Sequence, residues 1–284
     1  MKKDTTRSII SVLLSFVLSL IIFVLVIVAC TSATLFDQNF ILKRLNESNY
    51  YRATVNSTIE NFQALGIPGG IPEEVFDDII NEEFVKNDIV DMLWDSYNNV
   101  PYQANLEPLK TRLNNEFVNY ANENNIEITD ETEESLKTLV NYCADEYKNQ
   151  ISNPVISFLG QIKVTVYNIL VAALIIMTVM ISLILVFLFK MQHYKHRAIR
   201  YIVYSQFAAL LMTAVIPAIV LINKIYTKIH ISPEHLYNFC VSISQDYLIT
   251  LLLSGAALGI IGVALLIVIP QVKKKYLKKS KNLR

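Results

Sequence analysis

The sequence predicts an all-α membrane protein that crosses the bilayer four times and carries an acidic helical domain between its first and second membrane helices. Three observations predict this fold class. Hydrophobic residues make up 53% of the chain, a share that soluble proteins of this length seldom reach. Four long apolar runs are almost free of charge, and charged residues are sorted by segment between them. The longest segment between runs has apolar residues at helical spacing.

The four apolar runs cover residues 9–30, 164–189, 199–223 and 248–270. Arg200, at the edge of the third run, is the only Asp, Glu, Lys or Arg in them. At about 1.5 Å per residue, each run is long enough to cross a hydrocarbon core of roughly 30 Å. Because lipid offers no hydrogen-bond partner to the backbone, each run is predicted to be a transmembrane helix.

Basic residues gather in the three segments that a four-pass path places on one side of the membrane. Residues 1–8, the loop 190–198 and the tail 271–284 hold 3, 3 and 7 Lys+Arg, against the single acid Asp4. Cytoplasmic flanks of membrane helices collect Lys and Arg, so both termini are predicted to be cytoplasmic. The tail is expected to contact anionic lipids of a cell membrane, at about 1 kcal/mol per basic residue near the surface. The abundance of Asn, Lys, Ile and Tyr favours a bacterial source.

The segments on the opposite side are acidic or neutral. Residues 31–163 hold 9 Lys+Arg against 22 Asp+Glu, a net charge of −13. This segment is predicted to be an extracytoplasmic domain, and residues 224–247 are predicted to be an extracytoplasmic loop.

The first run has a second interpretation, because a charged segment followed by an apolar run is also typical of a signal peptide. Residues 27–30 read Ile-Val-Ala-Cys and resemble the lipobox of bacterial lipoproteins, which makes Cys30 a candidate lipidation site. Signal h-regions usually have about 7–15 residues, fewer than residues 9–30, and this favours an uncleaved helix. Both interpretations leave the acidic segment outside.

Four helices are predicted in the acidic segment. The first carries an apolar stripe of Tyr51, Val55, Ile59 and Phe62, and the Gly- and Pro-rich residues 66–72 stop it. The other three are predicted over residues 73–98, from Asn105 to the polar run 122–125, and from Thr129 to Asn153. A unit of this size can bury a core of its own.

The chain has three cysteines, Cys30, Cys143 and Cys240, which are too few for a disulfide framework. Cys143 and Cys240 share the predicted outer side, so a disulfide between them is chemically allowed. Two unrelated free thiols are the favoured alternative.

Two features of the membrane runs stand out. Gly255, Gly259 and Gly262 lie in the fourth run at spacings that form a small-residue face, which a neighbouring helix can approach closely. A helix of the same chain is the default neighbour, and a second copy in a homo-oligomer is the alternative. Pro217 lies in the middle of the third run and predicts a kink, which serves either packing or a moving part.

The sequence predicts no catalytic, cofactor-binding or metal-binding residue. No His-Glu-x-x-His, Gly-x-Ser-x-Gly or Gly-rich phosphate motif occurs. The acidic clusters 77–83 and 127–134 lack the spacing of a calcium loop, which favours a solvated acidic surface. His193 and His196 form one histidine pair and His230 and His235 the other, without a convincing third ligand in sequence. The basic tail lacks the aromatic context of a nucleic-acid site.

These observations predict a non-enzymatic integral membrane protein whose outer domain binds a protein or another envelope component. The order of one helix, a large outer domain and three more helices also resembles, in topology, the FtsX/MacB type of permease. That resemblance implies a permease-like subunit of an ABC-type envelope system with an ATPase partner. A third hypothesis is an enzyme of the outer membrane surface, because paired carboxylates can perform acid and base catalysis in a cleft.

Overall fold

A computed structural model describes residues 2–192 and 194–281, with side chains for 5–192 and 194–274. Over these residues the protein is all-helical and contains no strand. His193, Arg284, the side chains of the first four residues and the tail side chains beyond Lys274 lie outside the described residues. The histidine pair that includes His193 and the predicted lipid contact of the basic tail therefore fall, in part, outside the described residues.

The described residues form nine α-helices. They are α1 (Lys2–Ala33), α2 (Gln38–Glu47), α3 (Tyr50–Gly66), α4 (Glu82–Tyr97), α5 (Glu107–Glu123), α6 (Asp130–Ile151), α7 (Pro154–Met191), α8 (Lys195–Ile222) and α9 (Glu234–Lys281). Four of them, α1, α7, α8 and α9, are long and apolar enough to cross a membrane. The all-α class and the four candidate spans are confirmed.

The chain divides into two compact units. The bundle unit comprises Met1–Leu35, Val166–Ile229 and Ile243–Arg284, and the insert unit comprises Phe36–Thr165 and His230–Ser242. The first turns of α7 and of α9 therefore belong to the insert unit, and the remainder of each helix belongs to the bundle unit.

The bundle unit has an apolar core and a polar seam between α1 and α8. Leu18 and Ile22 of α1 pack with Ile202 and Ala209 of α8 and with Leu188 of α7. In the seam, the hydroxyl of Ser15 lies 2.8 Å from the carbonyl oxygen of Tyr201, to which it donates. The hydroxyl of Ser205 lies 2.9 Å from the carbonyl oxygen of Ser15. These bonds satisfy polar groups that would be costly in lipid and hold the two helices together.

The insert unit contains five complete α-helices, α2 to α6, where four were predicted. The additional helix, α2, is capped by Asp37, whose side chain accepts a hydrogen bond from the backbone of Asn39 at 2.8 Å. Only two of its ten residues, Ile41 and Leu45, are buried. The apolar residues are therefore too few to form a recognisable helical pattern in the sequence.

The single helix predicted over residues 73–98 was wrong. The structure has a 3-10 turn at Glu73–Phe76, and α4 begins only at Glu82. The Asn81 side chain accepts a hydrogen bond from the Phe84 backbone at 2.9 Å, and the Asn81 backbone is extended. An asparagine N-cap starts a new helix at this position, and the break lets Phe76, Ile79 and Ile80 all reach the core.

Other predicted helices agree with the structure. The apolar stripe that begins at Tyr51 lies on α3, which ends at Gly66. The fourth predicted helix is α6, and the hydroxyl of its N-cap Thr129 accepts from the backbone of Thr132 at 3.3 Å.

The boundaries between predicted membrane runs and outer segments do not coincide with helix ends. Helix α7 runs from Pro154 through the predicted boundary at 163/164 without a break. Residues 224–247, predicted as a loop, contain a 3-10 turn at Ile225–Thr227 and then the first turns of α9 from Glu234. A helix can continue past the membrane surface without a break. The hydropathy of the sequence therefore locates the membrane-spanning part of a helix, but it does not locate the end of that helix.

Candidate functional site

The glycine face of α9 packs against α8 in the bundle unit. A Cβ atom added to Gly255 would lie 3.1 Å from the Cβ atom of Ala214, and one added to Gly262 would lie 3.3 Å from the Phe207 ring. A Cβ atom on Gly259 would meet the Leu210 side chain. The neighbour that covers this face therefore belongs to the same chain.

Pro217 lies inside α8, which is helical on both sides of it. The ring is buried and provides no N–H group for the preceding turn. Near it, the Thr213 hydroxyl donates to the Ala209 carbonyl oxygen at 2.8 Å.

The three cysteines are free thiols that occupy separate places in the fold. Cys30 is buried in the last turns of α1, and its Sγ atom lies 3.2 Å from the Ser254 hydroxyl of α9. Cys143 of α6 and Cys240 of α9 belong to the insert unit and are not bonded to each other. Burial raises the pKa of Cys143 to about 12, with a smaller contribution from Glu146, so this thiol is protonated at neutral pH and weakly nucleophilic.

The insert unit contains a half-open cleft of about 420 Å³. Its lining comes from α4, from the loop between α4 and α5, and from the junction of α6 with α7. The lining residues are Met92, Ser96, Asn99, Val100, Pro101, Tyr102, Ser152, Ser157 and Gln161. Hydroxyl and amide groups thus share the surface of the cleft with a small apolar patch.

The close approach of α7 to α4 brings the two sides of the cleft together. A Cβ atom on Gly160 of α7 would lie 2.6 Å from the carbonyl oxygen of Ser96. Only glycine permits this approach, and it positions Ser157 and Gln161, on either side of Gly160, along the cleft.

A buried polar group adjoins the cleft. The hydroxyl of Tyr147 is buried in α6 and donates to the carboxylate of Asp88 in α4 at 2.5 Å. Burial raises the pKa of Asp88, whereas the bond from Tyr147 lowers it. Tyr102, in the cleft lining, has its hydroxyl oxygen buried with no hydrogen-bond partner in the part of the chain that the structure describes. Burial, and then the charges of Asp88, Asp91 and Asp95, raise the pKa of Tyr102.

We expect Asp88 to make the insert unit less stable as the pH rises above the ordinary aspartate pKa of about 3.9. Its pKa in the folded state is raised, so in this window the folded protein retains a proton that the unfolded chain has released. The free energy of unfolding then falls with increasing pH until the pH passes the folded-state pKa. The Asp88→Asn substitution is expected to remove this dependence, since asparagine still accepts the Tyr147 bond and carries no titrating group.

Urea unfolding of the full chain in a mild detergent, at pH values between about 4 and 7, measures this dependence. Trp94 is the only tryptophan of the chain and lies in α4, so any change in tryptophan fluorescence on unfolding arises in the insert unit. Asp78→Asn, at an exposed position before α4, is the matched control. An unchanged pH slope in Asp88→Asn would contradict the assignment.

The described residues contain no group of three His, Cys, Asp or Glu side chains arranged to hold a metal ion. Carboxylates of the predicted acidic clusters make surface contacts. Glu82 pairs with Arg52 at 2.7 Å, and both side chains are more than half exposed. Exposed pairs of this kind contribute little to stability.

Comparison of the chain with protein-family models, with curated proteins and with solved structures finds no match.

The cleft was not predicted from the sequence. Its lining residues lie in two groups separated by about fifty positions, between Tyr102 and Ser152, and they form no short motif. The helical periodicity of α4, α6 and α7 identifies which face of each helix is buried. It does not show how the ends of these three helices are arranged around the cleft. The one local signal was Val100-Pro101, which follows the helix predicted over residues 73–98 and favours an irregular loop, where binding groups are often found.

Proposed function

We propose that the chain is a non-enzymatic, multi-pass protein of a bacterial cell membrane whose insert unit lies outside and binds a protein or envelope partner. The observation that carries the proposal is the polar cleft of about 420 Å³ in a unit with its own buried core. A stable core can hold the two sides of a cleft in place, which lowers the entropic cost of binding.

Charge sorting supports the orientation. The segment 31–163 carries 9 Lys+Arg against 22 Asp+Glu, whereas the tail 271–284 carries 7 Lys+Arg and no acid. Basic flanks remain on the cytoplasmic side, which supports the proposal that both termini lie inside and the insert unit outside.

The chemistry of the cleft supports binding in preference to catalysis. Serine, asparagine and glutamine side chains supply hydrogen bonds without a proton-transfer group of suitable pKa. The phenol of Tyr102 is protonated at neutral pH, and burial raises its pKa further. Such a surface recognises a ligand by its donors and acceptors.

Site-specific photo-crosslinking in cells that produce the full chain tests this function. A photoreactive amino acid at Asn99, an exposed residue of the cleft lining, is expected to give a defined adduct with one partner. The control position is Glu131, exposed at the opposite end of the 22-residue helix α6 and about 30 Å from Ser152 at 1.5 Å per residue. Equal labelling at both positions, or none at Asn99, would contradict a partner site in the cleft.

A further inference from the structure

We infer that a groove between α1 and α7 of the bundle unit binds an anionic phospholipid, with its head group at Lys190 and one acyl chain along the groove. The inference requires the four candidate spans to lie in a membrane, and it is independent of partner binding by the insert unit. Three observations carry it: the shape of the groove, the contacts that hold its walls and the cation at one end.

The groove has a volume of about 440 Å³ and lies open on the surface of the two helices. The lining residues are Leu14, Leu183, Ile184, Val186, Phe187 and Lys190. From Leu183 to Lys190 the wall formed by α7 extends about 10 Å along the helix axis, at 1.5 Å per residue. The groove is therefore apolar along its length and charged at one end, which is also the pattern of a phospholipid.

Contacts with the bundle core hold both walls of the groove. Leu14 of α1 and Ile184 of α7 pack against the buried cluster that contains Leu188. Directly after α7, the side-chain amide of Gln192 donates to the hydroxyl of Ser11 in α1 at 2.6 Å. The two helices are thus joined beside the groove before a ligand enters, which lowers the entropic cost of binding.

Lys190 provides charge complementarity to an anionic head group. It is exposed in the last turn of α7 and makes no ion pair with any residue that the structure describes. The lining of the groove contains no Asp or Glu that could compete for the ammonium group. Basic groups between membrane helices bind the head groups of anionic lipids. A zwitterionic lipid has the same phosphate, but its own cation cancels the net attraction.

The two parts of the groove together define the ligand class. A free phosphate ion would contact Lys190 and leave the apolar wall uncovered, whereas an uncharged hydrocarbon would cover the wall and leave Lys190 without a counter-charge. An acyl chain joined to a head group of net negative charge satisfies both parts. The groove therefore selects an anionic phospholipid over a neutral one.

Native mass spectrometry of the full chain in detergent tests the inference, with dioleoyl phosphatidylglycerol as the probe. The matched control lipid is dioleoyl phosphatidylcholine, which has the same acyl chains and no net charge. The first phosphatidylglycerol molecule is expected to bind about fivefold more tightly than the first phosphatidylcholine molecule, the usual effect of one basic residue near a membrane surface. Equal affinities for the two lipids would overturn the inference.

Lys190→Gln tests the contact with the head group. It is expected to lower the affinity for phosphatidylglycerol about fivefold and to leave the affinity for phosphatidylcholine unchanged. Lys195→Gln removes the same charge at an exposed position at the start of α8, outside the groove lining, and should leave both affinities unchanged. Equal weakening by the two variants would indicate general attraction to a basic surface and overturn the inference.

Leu183→Trp tests the contact with the acyl chain, because the larger side chain fills part of the groove. Leu183 is 63% exposed, so the substitution leaves the core intact. It is expected to lower the affinity for phosphatidylglycerol about tenfold, as overpacking of a formed site does. Leu211→Trp is the control, at a position of α8 that is 57% exposed and outside the lining. An unchanged affinity in Leu183→Trp would overturn the inference. A lipid-free dimer that Leu183→Trp dissociates would assign the groove to a second copy of the chain and would overturn it too.

Discussion

Phe76→Ala is expected to lower the free energy of unfolding of the insert unit by about 3–5 kcal/mol, the usual cost of removing a large buried aromatic side chain. Phe76 is 0% exposed. Its ring centroid lies 6.3 Å from that of Phe62 in α3 and 5.6 Å from that of Phe117 in α5. A Cβ atom on Gly66 would lie only 2.7 Å from the Phe76 ring. The ring thus joins three parts of the core, and its loss leaves a cavity that these elements cannot readily fill.

Urea unfolding followed by Trp94 fluorescence measures this loss in the full chain. Tyr142→Ala is the matched control because Tyr142 is a large aromatic residue of α6 that is 60% exposed. Its substitution should change the free energy of unfolding by less than about 0.5 kcal/mol. Equal losses in the two variants would contradict the position of Phe76 in the core.

Gly160→Ala is expected to destabilise the insert unit by about 1–3 kcal/mol through overpacking. The new Cβ atom would lie 2.6 Å from the Ser96 carbonyl oxygen and 2.7 Å from its carbonyl carbon. Both atoms belong to the α4 backbone, which cannot rotate away as a side chain can. Either α7 must move from α4, or the carbonyl must lose its helical geometry.

Gly69→Ala is the control for this substitution. A Cβ atom on Gly69 would approach Ile71 no closer than 3.9 Å, an ordinary van der Waals contact. The same fluorescence measurement should therefore show little change in Gly69→Ala and a clear loss in Gly160→Ala. The close packing of α7 on α4 would be wrong if Gly160→Ala unfolded at the same urea concentration as the unmodified chain.

Hydrophobic periodicity and capping chemistry accounted for much of the fold. The stripe on α3 and the Thr129 cap of α6 were readable because long helices repeat their signal over several turns. Helix α2 was missed because ten residues with two buried positions give too few repeats. The break before α4 was not predicted. It depends on the N-cap residue Asn81, and the acidic and apolar residues around Asn81 continue the helical pattern on both sides of it.

A residue's contacts could be predicted when they follow from a short sequence pattern around that residue. The glycine spacing of α9 is local, and these residues do adjoin α8. The cleft requires Tyr102 in a loop, Ser152 after α6 and Gln161 in α7 to meet in space. No local pattern contains that information, because it depends on tertiary packing at Gly160. Lipidation of Cys30 stays a prediction.

The orientation of the insert unit is the central claim, and labelling of introduced cysteines by a membrane-impermeant maleimide tests it most directly. Glu131→Cys lies at an exposed position of the insert unit, and Lys195→Cys lies at an exposed position at the start of α8. The native thiols of the unmodified chain set the background. In intact cells we expect labelling at position 131 alone, with position 195 labelled only after permeabilisation. Labelling of position 195 in intact cells, with position 131 protected until permeabilisation, would contradict the account.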